Sequence, residues 1–79
     1  MSSPSYAMLQ LIVKYNDLLT RFARMLNGGN QALADDMVKR AMEEAYDENK
    51  FYDTPELRSI LKNKIIAKAK SIQLSIHLN

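Results

Sequence analysis

Apolar residues recur along this sequence at the three- and four-residue spacing of amphipathic helices, in three segments separated by short polar breaks. The first segment predicts a helix over about residues 5–26. At about 100° per residue, Met8, Leu9, Leu11, Ile12, Tyr15, Leu18, Leu19, Phe22, Ala23, Met25 and Leu26 share an arc roughly 200° wide. Gln10, Lys14, Asp17, Arg21 and Arg24 occupy the other side. One neighbouring helix would not cover so wide an arc, so this helix is either central in a bundle or also covered by a partner.

Asn27-Gly28-Gly29-Asn30 ends the first segment. Glycine provides the left-handed conformation that helix C-termini use, and Asn30 fits the N-cap of the next helix. The Lys-Ser/Thr of a phosphate-binding P-loop is absent, so a plain turn is expected. The second helix is predicted over about residues 31–48, with Ala34, Val38, Ala41, Met42 and Ala45 on its apolar face and Met37 and Tyr46 at the margins. Two charge ladders at i, i+4 spacing run along its other side: Asp35-Lys39-Glu43-Asp47 and Asp36-Arg40-Glu44-Glu48. Their last steps pair like charges, which leaves an acidic end that either faces solvent or meets a basic partner.

Asn49 to Thr54 form the next connection, and Thr54-Pro55 reads as N-cap and first turn of a third helix over about residues 55–74. Leu57, Leu61, Ile65, Ala69, Ile72 and Ile76 line one face, with Ile60, Ala67 and Leu74 as a thinner second stripe. The expected fold class is all-α, a compact three-helix bundle, with residues 1–79 as a single helical domain.

Composition fits this picture. Seventy-nine residues with two Gly, two Pro, 47% hydrophobic and 25% charged residues leave little chain for long loops and carry no signature of disorder. Cysteine is absent, which excludes disulfides and thiolate metal sites. The apolar start is broken by Gln10, Lys14, Asn16 and Asp17, so neither a signal peptide nor a membrane span is expected, and the location is read as cytoplasmic.

The net charge of +2 is unevenly spread. Lys14, Arg21 and Arg24 against Asp17 make the first helix basic. Seven acids face Lys39, Arg40 and Lys50 between Asp35 and Asp53, and five cations face Glu56 in the remainder. An acidic middle and a basic end suit recognition of another macromolecule. No catalytic constellation is visible: His77 has no partner at ligand spacing, no hydroxyl has a histidine base, and a helical acidic face lacks the loop oxygens of calcium sites. The chain reads as a non-enzyme without cofactor or metal. Phe51 and Tyr52, in a connection between Lys50 and Asp53, have two readings. At least one ring closes the end of the bundle, or an aromatic stacks on an unpaired base, worth roughly 1–3 kcal/mol.

Ala34-Asp35-Asp36-Met37-Val38, continuing to Ala45-Tyr46, resembles the Ala-Glu-Asp-Leu-Val segment in region 2 of bacterial sigma factors of the extracytoplasmic-function type. Tyr15-Asn16-Asp17-Leu18-Leu19 with Arg21-Phe22-Ala23 is similar to that family's first helix, and Phe51 followed by Leu57-Arg58-Ser59-Ile60-Leu61 to its Phe-loop-Phe-Arg-Thr-Trp-Leu segment. The resemblance spans roughly residues 12–72. It departs from the family's Gln-Glu at Lys39-Arg40, from its tryptophan at Ile60, from an asparagine at Ala67 and from closing arginines at Gln73-Leu74-Ser75. No second DNA-binding domain is expected in the chain.

The resemblance implies a transcription module that docks on the RNA polymerase core through its second helix and captures a flipped base of −10 promoter DNA. It assigns polymerase or partner binding to Asp35, Asp36, Lys39, Arg40 and Glu43, base capture to Phe51, Tyr52, Asp53 and Thr54, and phosphate contacts to Lys62, Lys64, Lys68 and Lys70. The alternative is a helical protein–protein interaction module that self-associates as a homo-oligomer or binds an anti-sigma-like regulator.

Overall fold

The computed structural model describes residues 5–78, with the side chains of residues 5–73. Three α-helices follow one another: α1 Tyr6–Leu26, α2 Gln31–Asp47 and α3 Glu56–Leu78. Each packs against both others, and no strand occurs among the described residues. The chain is an all-α three-helix bundle.

Each helix boundary has a local cause. Ser5 caps α1, its hydroxyl oxygen accepting from the Met8 amide at 3.2 Å. Asn30 caps α2 in the same way, Oδ1 accepting from Leu33 at 3.0 Å. At the end of α1 the Gly29 amide reaches back to the Arg24 carbonyl at 2.8 Å, with Gly28 at φ 62°. This wrap satisfies a carbonyl that the helix itself leaves free. At the end of α2 a non-glycine residue does the same work. Asn49 sits at φ 60°, its amide donates to Tyr46 at 3.0 Å, and the Lys50 amide reaches the Ala45 carbonyl at 2.8 Å. Asparagine is the side chain best tolerated there after glycine.

Thr54 differs from the cap expected of it. Its carbonyl accepts from Leu57 at 3.2 Å, and no hydrogen bond of its hydroxyl is found among the described residues. Pro55 in the turn before α3 needs no amide partner, which suits it to this position. α3 runs about four residues past its expected end, since nothing from Ser71 to Leu78 breaks a helix. The side chains of Leu74, Ile76 and His77 lie outside those described.

The core follows the periodicity. Leu11, Tyr15, Leu19 and Ala23 of α1, Ala34, Met37, Val38, Ala41, Met42 and Ala45 of α2, and Leu57, Leu61, Ile65 and Ala69 of α3 are buried, together with Phe51. Ala23, Ala34, Ala41 and Ala45 are completely covered, and side chains this small let helices approach closely. The wide arc of α1 is buried at its centre only. Leu9, Leu18 and Met25 at its margins are exposed. Of the second stripe on α3, Ile60 is half-buried against the core and Ala67 is exposed.

Candidate nucleic-acid and partner-binding surfaces

The connection between α2 and α3 places two adjacent aromatic rings in opposite environments. Phe51 is 6% exposed and belongs to the core, whereas Tyr52 is 54% exposed. The inward ring closes the bundle end. The outward ring is held from below, its hydroxyl donating to Oδ1 of Asn49. The strained-looking φ of Asn49 and the pose of Tyr52 are therefore one local arrangement. Asp53 faces Lys14 of α1 at 3.7 Å, which ties the connection to the first helix. Thr54 is exposed at the approach to α3.

Two open clefts flank this corner. One, of about 390 Å³, lies between the first turns of α1 and the connection and is lined by Met8, Leu11, Lys14, Phe51, Tyr52 and Asp53. The other, of about 480 Å³, lies on the α2 side and is lined by Met8, Tyr46, Asp47, Asn49, Phe51 and Tyr52. Met8, Phe51 and Tyr52 border both, so Tyr52 offers a ring face beside a recess large enough for a planar group.

The lysines of α3 divide into two sets. Lys64 and Lys68 turn towards α2: Lys64 meets Glu48 at 2.7 Å and Glu44 at 3.8 Å, and Lys68 donates to Glu44. Their side chains are only 16% and 19% exposed. The acidic end of α2 thus meets its basic partner within the same chain. Glu48 titrates below the ordinary glutamate range, chiefly because Lys64 donates a hydrogen bond to it, with Lys50 adding to the effect and partial desolvation opposing it.

Lys62 and Lys70 make no ion pair among the described residues. Lys62 lies over the Phe22 ring of α1, its Nζ 5.1 Å from the centroid, and Lys70 is exposed. Arg58 shares their side of α3, exposed and likewise unpaired among the described residues. Arg58 is not among the phosphate contacts that the resemblance implies. Its four-residue spacing from Lys62 was the available signal.

On α2, Asp35, Asp36, Lys39, Arg40 and Glu43 are all exposed. Of the two charge ladders only the step from Asp36 to Arg40 closes, at 2.9 Å. Asp35 accepts instead from Gln31 at 2.7 Å, and Glu44 is drawn to α3. Asp36 and Arg40 border a shallow groove of about 330 Å³ with Glu44, Lys68, Ser71 and Ile72. Asp35 and Lys39 lie about 100° further round the helix, so the five residues form a broad face.

Among the described residues no group of three or more His, Asp or Glu side chains could hold a metal ion. No helix of the described residues is long and apolar enough to cross a membrane. Comparisons with protein-family models, with curated proteins and with solved structures give no match for this chain.

Proposed function

We propose that the chain is a transcription module resembling sigma-factor region 2, which binds single-stranded −10 promoter DNA at the Tyr52 corner and the RNA polymerase core through the outer face of α2. The observation that carries this reading is the exposed Tyr52 ring, braced by Asn49 at the entrance to a helix on which Arg58, Lys62 and Lys70 make no ion pair among the described residues. A base splayed from a melted strand would stack on Tyr52, and the flanking phosphates would meet those cations. Stacking contributes roughly 1–3 kcal/mol per base, and phosphate contacts make the affinity depend on salt. Phe51 supports the corner from inside the core, and Lys64 and Lys68 fix α2 to α3.

The outer face of α2, with Asp35, Asp36 and Glu43 exposed, offers negative charge to a basic helical surface of the polymerase, interrupted by Lys39 and Arg40. The test combines retention on immobilised core polymerase with a fluorescence titration of −10-like single strands at low salt. Binding to the strand that weakens with salt and with Tyr52→Ala supports the proposal. Absence of binding to both partners overturns it.

A second reading, a helical protein–protein interaction module, is supported by a different surface. Tyr6, Leu9 and Val13 stand on the outside of α1 with substantial exposure.

A further inference from the structure

α1 carries a stripe that the bundle does not use. Tyr6, Leu9 and Val13 fall within about 60° of one another around the helix, and Tyr6 and Val13 are 77% and 75% exposed. From Ser5 to Val13 no residue is charged. The outer faces of α2 and, among the described residues, of α3 carry charges along their length.

We infer that this face is the contact between two copies of the chain, related by a two-fold axis with their α1 helices antiparallel. A symmetric interface sets a patch against itself, so a patch rich in one sign of charge repels its own copy. The neutral stretch Ser5–Val13 escapes that penalty. The charge nearest the crossing is moreover complementary to the other copy in one orientation. Asp17 lies on the same side of α1 as the stripe, about one turn beyond Val13 by its spacing. The first turn of α1 contains no acidic residue, so beyond the Ser5 cap its positive dipole end has no negative side chain of its own turn against it. Crossing the two helices between Leu9 and Val13 brings Leu9 of each copy against Val13 of the other. The same crossing sets each Asp17 opposite the other copy's first turn.

The area suits a weak association. Aromatic side chains carry roughly 150–250 Å² each, so Tyr6, Leu9 and Val13 at their observed exposures present on the order of 350 Å² per copy. Two such patches with a polar rim reach about 1,000 Å², the lower end for a specific interface. The inference is independent of DNA binding at Tyr52, and it gives the protein–protein reading a definite partner.

Sedimentation equilibrium on the full chain tests it, with circular dichroism to confirm that each variant folds. The wild type is expected to approach twice its monomer mass at micromolar to tens-of-micromolar concentration. Val13→Glu should weaken the association at least tenfold, while Met25→Glu, exposed elsewhere on α1, should leave it unchanged. Because the chain has no native cysteine, Val13→Cys gives a second readout independent of charge. In an oxidised-glutathione buffer a Leu9→Cys/Val13→Cys chain should form a disulfide-linked dimer, and a Met25→Cys chain should not. A wild type that stays monomeric to millimolar concentration overturns the inference. So does a dimer that tolerates Val13→Glu but is lost with Met25→Glu. The single-strand titration reports separately, so failure of one result leaves the other intact.

Discussion

Lys64 of α3 donates to Glu48, the residue that caps the end of α2, across a distance of 2.7 Å, joining residues sixteen positions apart at the point where the two helices begin to run alongside each other. Lys68 and Glu44 repeat the contact one turn further on. The two pairs lie at the edge of the α2–α3 seam, with the lysines largely covered and the glutamates partly open to water.

Removing Glu44 leaves Lys68 without its acceptor in a site where water reaches it poorly. Glu44→Ala is expected to lower unfolding stability by about 1 kcal/mol, a modest value because the glutamate is itself partly solvated. Urea denaturation checks it, and the loss should shrink in high salt. Lys68→Met, which keeps the packing of the stem and removes the charge, should cost less than Lys68→Ala.

Glu48 yields a pH dependence of definite sign. Its carboxyl is held below the ordinary range in the folded chain by the Lys64 hydrogen bond, so protonation opposes folding. The stability it contributes is present above the unfolded-state value of about 4.3 and is lost as pH falls from there through the lower folded value. Thermal melts between neutral pH and pH 3 should show this decline, and Glu48→Gln should flatten part of it. An unchanged profile would show that the pair does not contribute.

The neighbours Phe51 and Tyr52 should respond in opposite ways to truncation. Phe51→Ala opens a void in the core and is expected to cost about 3–5 kcal/mol, which a domain of this size barely tolerates. Tyr52→Ala should leave the melting temperature within a few degrees and reduce affinity for single-stranded DNA about tenfold. Calorimetry and the strand titration separate the two effects. Lys62→Gln and Lys70→Gln should each reduce the salt slope by about 0.7, with Lys64→Gln having no such effect.

Asn49 tests the left-handed cap. Asn49→Gly keeps the backbone conformation and should change stability by only a few tenths of a kcal/mol, while releasing the Tyr52 hydroxyl. Asn49→Val places a branched side chain at φ 60° and should cost about 1–2 kcal/mol. Chemical denaturation of both variants distinguishes conformational cost from the lost hydrogen bond.

The three helices, the Asn30 cap and the core positions were legible because each depends on residues a few places apart. Leu57, Leu61, Ile65 and Ala69 repeat at four-residue steps and are all buried. The partners of Lys64 and Lys68 were not legible, because their recognition needs the register between α2 and α3, which no local pattern contains. The choice between Phe51 and Tyr52 was hidden for the same reason: two adjacent rings look alike until the chain direction in the connection is known. Asn49 left a weaker trace. An asparagine directly after an amphipathic run is a known signal for the end of a helix.

The turn at Gly28 and Gly29 has open space around it: a side-chain carbon built on either glycine would find no atom within 4 Å. It joins antiparallel helices at the pole remote from Tyr52. A fluorophore or affinity tag spliced between the two glycines would therefore ride clear of the aromatic corner, provided the spacer keeps a glycine on each side to preserve the bend. That gives the titrations a reporter whose attachment does not disturb what it reports.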